Sequence, residues 1–156
     1  MRYGTDWLLE QAHTYAKQFS GCLKVQVGSI IVNEGMSRIL SFGANRAIPD
    51  LCRYRGCLRV EKYGNNNKEH RSPSDCRAIH SEVDAIASAG CDLTGTCIVV
   101  TRYPCEACAR AIVAAGITRV IYGRQQKISE ETARIFEDAD VQVIHARTWD
   151  APDTKN

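Results

Sequence analysis

The second half of the chain alternates strand and helix, and that alternation leaves few folds open. Thr96–Thr101 is a buried, β-branched run, and Cys105–Ala115 has helical spacing and stops at Gly116. Thr118–Tyr122 reads as a strand. Ser129–Asp138 reads as a helix, with Ser129, Glu130 and Glu131 suited to its N-terminus, and Val141–His145 as a last strand. Strands joined through helices pair in parallel. The first half differs. Trp7, Leu8, Ala12, Tyr15, Ala16 and Phe19 recur at helical spacing over about Thr5–Phe19. Val25–Val32 and Ile39–Phe42 flank a turn at Gly35 and predict an antiparallel hairpin, and Ala78–Ala89 predicts a short helix ended by Gly90. The expected architecture is α/β: a mixed five-stranded sheet flanked by helices. The 156 residues suit one domain, spanning 1–156.

From Gly43 to about Cys76 the pattern dissolves into Pro49, Gly56, Gly64, Asn65–Asn67, Pro73 and many charges. So long a structureless stretch inside a compact domain needs an anchor or a function. Cysteine offers one. The chain has eight, which points to disulfides in a secreted protein and to metal or catalysis in a cytosolic one. Asp6, Glu10, His13 and Lys17 in the first twenty residues do not fit a secretion signal, and no apolar run approaches the roughly 20 residues of a membrane helix. A cytoplasmic protein is therefore expected. A net charge of +2 supplies no single-sign field for general nucleic-acid or membrane binding.

Two short motifs carry the chemistry. His80-Ser81-Glu82 opens one helix, and Pro104-Cys105-Glu106-Ala107-Cys108 opens the next after a strand. Cys105 and Cys108 are one turn apart, so both sulfurs can reach one ion, and a helix N-terminus favours their thiolates. Pro104 stands where a missing N–H does no harm. His80 supplies a third ligand, leaving the open fourth position of a catalytic zinc. Glu82, two residues away, is placed to move protons without binding the ion. A lone CxxC also serves structural zinc and redox pairs, but a redox pair leaves His80 and Glu82 without a task.

His80-x-Glu82 with Pro104-Cys105-x-x-Cys108 resembles the zinc-dependent cytidine deaminase superfamily. Gln26–Val32, Cys76–His80 and Thr96–Tyr122 resemble its deoxycytidylate (dCMP) deaminases, and the likeness runs from about Trp7 to Val143. The resemblance implies a three-layer cytidine deaminase-like fold and zinc-dependent hydrolysis of dCMP to dUMP and ammonia, the thymidylate precursor supply. It implies Zn²⁺ on His80, Cys105 and Cys108, a water activated there that attacks C4, and Glu82 carrying protons to N3 and then to the leaving ammonia. The Ser81 backbone N–H would bond the base carbonyl. Family members carry Gly-Tyr-Asn-Gly after the second strand, where this chain has Gly43-Ala44-Asn45-Arg46. Asn45 then contacts sugar or phosphate, or is a turn residue. Arg46 adds a phosphate contact, or is a solvated loop residue.

Cys22, Cys52, Cys57, His70 and Cys76 cluster around the irregular stretch, while Cys91 and Cys97 flank a strand as small core residues. The resemblance to phage and bacterial dCMP deaminases with a structural zinc near this loop assigns Cys22, Cys52, His70 and Cys76 to a second zinc, with Cys57 in reserve. The segment 44–77 is then a zinc-clipped insertion; scattered free thiols are the alternative. The family also implies homo-oligomers, commonly hexamers. Rival functions are a deaminase of another cytosine substrate (modified dCMP, nucleoside or nucleic-acid cytosine) and a catalytically idle zinc scaffold. The near-neutral charge opposes nucleic acid as substrate or partner.

Overall fold

The structure is a computed structural model that describes residues 1–64, 75–125 and 129–150. Helix α1 (Thr5–Phe19) leads into the hairpin β1 (Gly28–Val32) and β2 (Ile39–Ala44). Two short helices follow, α2 (Leu51–Arg55) and α3 (Leu58–Tyr63), then α4 (Ser81–Ser88). The remainder alternates: β3 (Cys97–Arg102), α5 (Glu106–Ala114), β4 (Arg119–Arg124), α6 (Glu130–Asp138) and β5 (Gln142–His145). The strands form one sheet in the order β2-β1-β3-β4-β5. β1 pairs antiparallel with β2 and β3, whereas β3–β4 and β4–β5 are parallel. This is the mixed five-stranded sheet expected from the sequence.

The sheet is covered on both faces, which is why β1 is buried at every position. Ile30, Val32, Cys97, Val99 and Ile121 point to the α1 side, where they meet Leu8, Leu9 and Ala12. Ile31, Ile98, Val100 and Val120 point the other way, to Ala85 of α4, Ile112 of α5 and Phe136 of α6. α1 forms one outer layer, and α4, α5 and α6 form the other. Two glycines let the outer layers approach closely. A Cβ on Gly28 would lie 2.7 Å from the Ala12 carbonyl carbon in α1, and one on Gly43 would lie 2.5 Å from the Ala85 nitrogen in α4.

Three expectations need correction. The stretch after β2 is not structureless, because it holds α2 and α3; helices of five and six residues are too short to show periodicity. Strand β1 starts at Gly28 and not at Val25. The backbone at 25–27 is bonded instead by Asn45: its side-chain oxygen accepts from Val27 N–H (2.8 Å), and its amide donates to the Val25 carbonyl (2.8 Å). Cys97 is buried as expected, but Cys91 is exposed, in the surface turn between α4 and β3.

Candidate active site

α4 and α5 pack side by side, and each begins with a residue of a metal-binding type. His80 is the N-cap of α4 and Cys105 the N-cap of α5, both in extended backbone. Neither side chain caps its own helix. Both turn toward the space between the helices. Cys108, one turn into α5, faces the same point. Cys105 Sγ lies 3.5 Å and Cys108 Sγ 3.4 Å from His80 Nδ1. Among the described residues, these three are the one group of three or more metal-binding side chains whose ligand atoms all fall within 4.8 Å of one another. A tetrahedral zinc with ordinary bond lengths puts sulfur and nitrogen roughly 3.6 Å apart, so the donor set fits that ion.

The electrostatics are those of a thiolate pocket. Cys108 donates to Cys105, and with help from His80 this holds the Cys105 thiol down at about 3 against its burial. Sharing that proton, and burial, push Cys108 up. The bond to Cys105 raises His80, and Arg59 acts on it in the opposite sense. Glu82 is 4% exposed, and desolvation raises its carboxyl. Ser81 Oγ donates to Glu82 Oε2 (3.1 Å) and lies 2.7 Å from Ser29 Oγ. Ser29 therefore belongs to the site, and a polar residue inside the apolar run Val25–Val32 was its signal in the sequence.

Two cavities meet the cysteine–histidine cluster. The larger, about 640 Å³, lies outside the helices between Val83, Pro104, Arg110 and Thr132. The smaller, about 230 Å³, is lined by Ser81, Glu82, His80 and Cys105, and so brings the buried Glu82 to two of the metal-binding residues, where the larger is lined by the half-exposed Glu106 of α5. Val25, Val27 and Tyr103 supply its apolar walls. Asn45 also lines it, while holding Ser20 Oγ (2.7 Å) and the 25–27 backbone. Arg46 does not line it. Its guanidinium pairs with the buried Asp84 of α4 (2.9 Å), and its backbone bridges Ile79, the residue before His80.

The sequence motif and this geometry coincide with one family. The chain matches the cytidine and deoxycytidylate deaminase zinc-binding region over residues 4–124. The chain belongs to that family. The deoxycytidylate deaminase of Saccharomyces cerevisiae is 30% identical over 147 residues, which are 92% of this chain and 45% of the yeast protein. This chain thus spans less than half the yeast protein's length. The deoxycytidylate deaminase of Mycobacterium phage D29 is 31% identical over 121 residues, 72% of this chain and 88% of the phage protein. The crystal structure of the dCMP deaminase of cyanophage S-TIM5 superposes with a TM-score of 0.62 at 20% identity, covering 90% of this chain and 95% of the other. That likeness shows the cytidine deaminase-like fold.

Within this deaminase-family chain the remaining cysteines gather as well. All eight thiols are free of disulfides. Burial raises Cys52, and Cys22, Cys76 and Cys57 raise it further, so each of the three lies within electrostatic reach of Cys52. Cys22, Cys57 and Cys76 also line the smaller cavity. Among the described residues, no three of these sulfurs approach within the distance that groups His80, Cys105 and Cys108. His70, the fourth ligand expected from the sequence, lies outside the described residues.

Proposed function

We propose that the chain hydrolyses dCMP to dUMP and ammonia, supplying the thymidylate precursor. The observation that carries this is the juxtaposition of a three-residue metal-binding set with a buried carboxylate: Glu82 shares a cavity with His80 and Cys105, and Cys108 lies beside them. Two relatives of about 30% identity that bear the name deoxycytidylate deaminase support the choice of dCMP. A purely structural site has no use for Glu82, so the idle-scaffold alternative is disfavoured.

His80, Cys105 and Cys108 would hold one zinc. Bound there, zinc supplies acidity, lowering the pKa of a water to about 7 so that a nucleophile exists at neutral pH. Glu82 would take one proton of the water and deliver it to N3 of the ring, then take the second, from the oxygen added at C4, and deliver it to the amino group, which leaves as ammonia while C4 becomes a carbonyl. Burial suits it to this double duty, because it raises the carboxyl's pKa and so makes the protonated, donating form easier to reach. Ser81 steadies Glu82 through its hydroxyl, and its N–H, at the first turn of α4, is free of any intrahelical partner by position and suits the base carbonyl. Val25, Val27 and Tyr103 exclude water around the ring. Asn45 fixes the Val25–Val27 wall and stands where a sugar would pass.

A second, structural zinc on Cys22, Cys52, Cys76 and His70, with Cys57 as the reserve ligand, is part of the proposal; the grouping of the four thiols around the short helices supports it. So are a single domain over the chain, a cytoplasmic setting and homo-oligomeric assembly. No described helix is long and apolar enough to cross a membrane. The test is a substrate panel on zinc-loaded protein: dCMP, deoxycytidine and a cytosine-containing single-stranded oligonucleotide, followed by ammonia release and ultraviolet difference. dCMP should be turned over far faster than either other substrate. Equal kcat/KM for dCMP and deoxycytidine would reassign the protein as a nucleoside deaminase, and turnover of the oligonucleotide alone would make it a nucleic-acid deaminase.

A further inference from the structure

The smaller cavity has an uneven charge. Three cationic side chains line it: Lys24 from the segment before β1, Arg59 from α3 and Arg102 from the end of β3. Among the described residues that line it, Glu82 is the one carboxylate. In a chain of net charge +2 that is a local concentration of positive charge. Arg59 and Arg102 are both half-buried, and they come from elements far apart in sequence, so the fold itself brings them to one cavity. Arg102 is also in register with Arg124 on parallel β4. Arg46, which the sequence leaves open between a phosphate contact and a solvated loop residue, pairs with Asp84 and is not among the residues lining this cavity.

We propose that Arg59 and Arg102, assisted by Lys24, form the anion subsite that receives the 5′-phosphate of a nucleotide substrate, and thereby set the preference for nucleotide over nucleoside. The inference rests on the deaminase reading of the cavity and adds its specificity-determining residues. The physical basis is that guanidinium presents a planar fork that phosphate oxygens can accept in pairs. In a half-buried setting such bonds are screened less than on an open surface. A nucleoside offers nothing to those donors. Val25, Val27 and Tyr103 give the same cavity an apolar wall against which a base can lie.

The experiment uses full-length, zinc-loaded protein and the variants Arg59→Met and Arg102→Met, which keep an apolar stem and remove the fork. The ratio of kcat/KM for dCMP to that for deoxycytidine should fall about 10- to 100-fold in each variant, the worth of a hydrogen bond to a charged group. A second readout needs no turnover: inorganic phosphate should raise the melting temperature of the wild type, and that rise should be lost in both variants. If a methionine variant does not fold, Arg59→Lys or Arg102→Lys replaces it, and the ratio should fall by less because the charge stays. A wild type that prefers dCMP, with variants holding the ratio within threefold and keeping the phosphate effect, overturns the subsite. A wild type inert toward every cytosine substrate overturns the deaminase reading instead. The phosphate arm then decides the subsite alone: a rise lost in both variants supports it, and no rise in the wild type overturns it.

Discussion

Gly43→Ala should disable the site without touching any residue that performs chemistry. Gly43 lies in β2, pairs with Ser29 and faces α4. A Cβ there would lie 2.5 Å from the Ala85 nitrogen and 2.8 Å from the Ala85 Cβ, and nearer still to the Ser81 carbonyl oxygen. Unstrained contacts between such atoms begin near 3.5 Å. α4 must therefore retreat from the sheet by roughly 1 Å. Its first turn carries Ser81 and Glu82, and His80 caps it, so the carboxylate and one metal ligand move together while Cys105 and Cys108 stay with α5. The bonds from Ser41 Oγ to the Ala85 carbonyl and from Ala44 N–H to Asp84 resist the shift.

A misplacement of that size costs about 100-fold in rate. Overpacking costs about 1–3 kcal/mol of stability, or a fall of roughly 3–10 °C in Tm for a domain of this size. The assay is kcat/KM for dCMP on zinc-loaded protein, with a thermal melt and a zinc determination on the same preparation. Two further glycines serve as comparisons. Gly35→Ala adds a Cβ with no heavy atom nearer than 3.8 Å and should behave as wild type. Gly123→Ala drives a Cβ into the Trp149 ring, far from α4, and should lower Tm while sparing kcat/KM. A Gly43→Ala protein within threefold of wild-type kcat/KM would refute the claim that α4 is positioned by this contact.

Glu82→Gln should retain zinc and Tm but lose at least about 10²–10⁴-fold in turnover, since one group serves each proton step; near-normal turnover removes Glu82 from the mechanism. Zinc determination on protein purified without chelator should give about two ions per chain, one open and one closed site; a value of one, unaffected by Cys52→Ser, removes the second site. Arg46→Met should lower Tm and kcat together, by about 1–2 kcal/mol in stability, because it strips the guanidinium from the buried Asp84 carboxylate. A rise in KM for dCMP with an unmoved Tm would instead make Arg46 a phosphate ligand.

The contrast between Arg46 and Arg59 shows what a one-dimensional reading can and cannot reach. The metal-binding triad was legible because its chemistry is written in short spacings: an N-cap histidine, and two cysteines a single turn apart at the next N-cap. The strands were legible because burial on both faces leaves continuous apolar runs, as in β3. Arg46 drew attention because it stands in a short motif after β2, yet its charge is committed to Asp84, a residue that looks like an ordinary solvated acid in the first turn of α4. Arg59 was one of several basic residues in the irregular stretch and Arg102 drew no attention, because each is unremarkable in its own neighbourhood and becomes meaningful only when the fold brings α3 and the end of β3 to one cavity. Asn45 stands between the two cases. It was selected as a pocket residue and does line the cavity, but most of its hydrogen-bonding capacity goes into the backbone at 25–27 and into Ser20. The same bonds bear on why β1 begins three residues later than its apolar run suggests: at 25–27 a side-chain amide shares the backbone's hydrogen bonding with a single backbone contact, Asn45 N–H to the Val27 carbonyl. Where polar side chains close the backbone's hydrogen bonds, periodicity loses its hold on element boundaries, and those are the places where this chain builds the cavity wall.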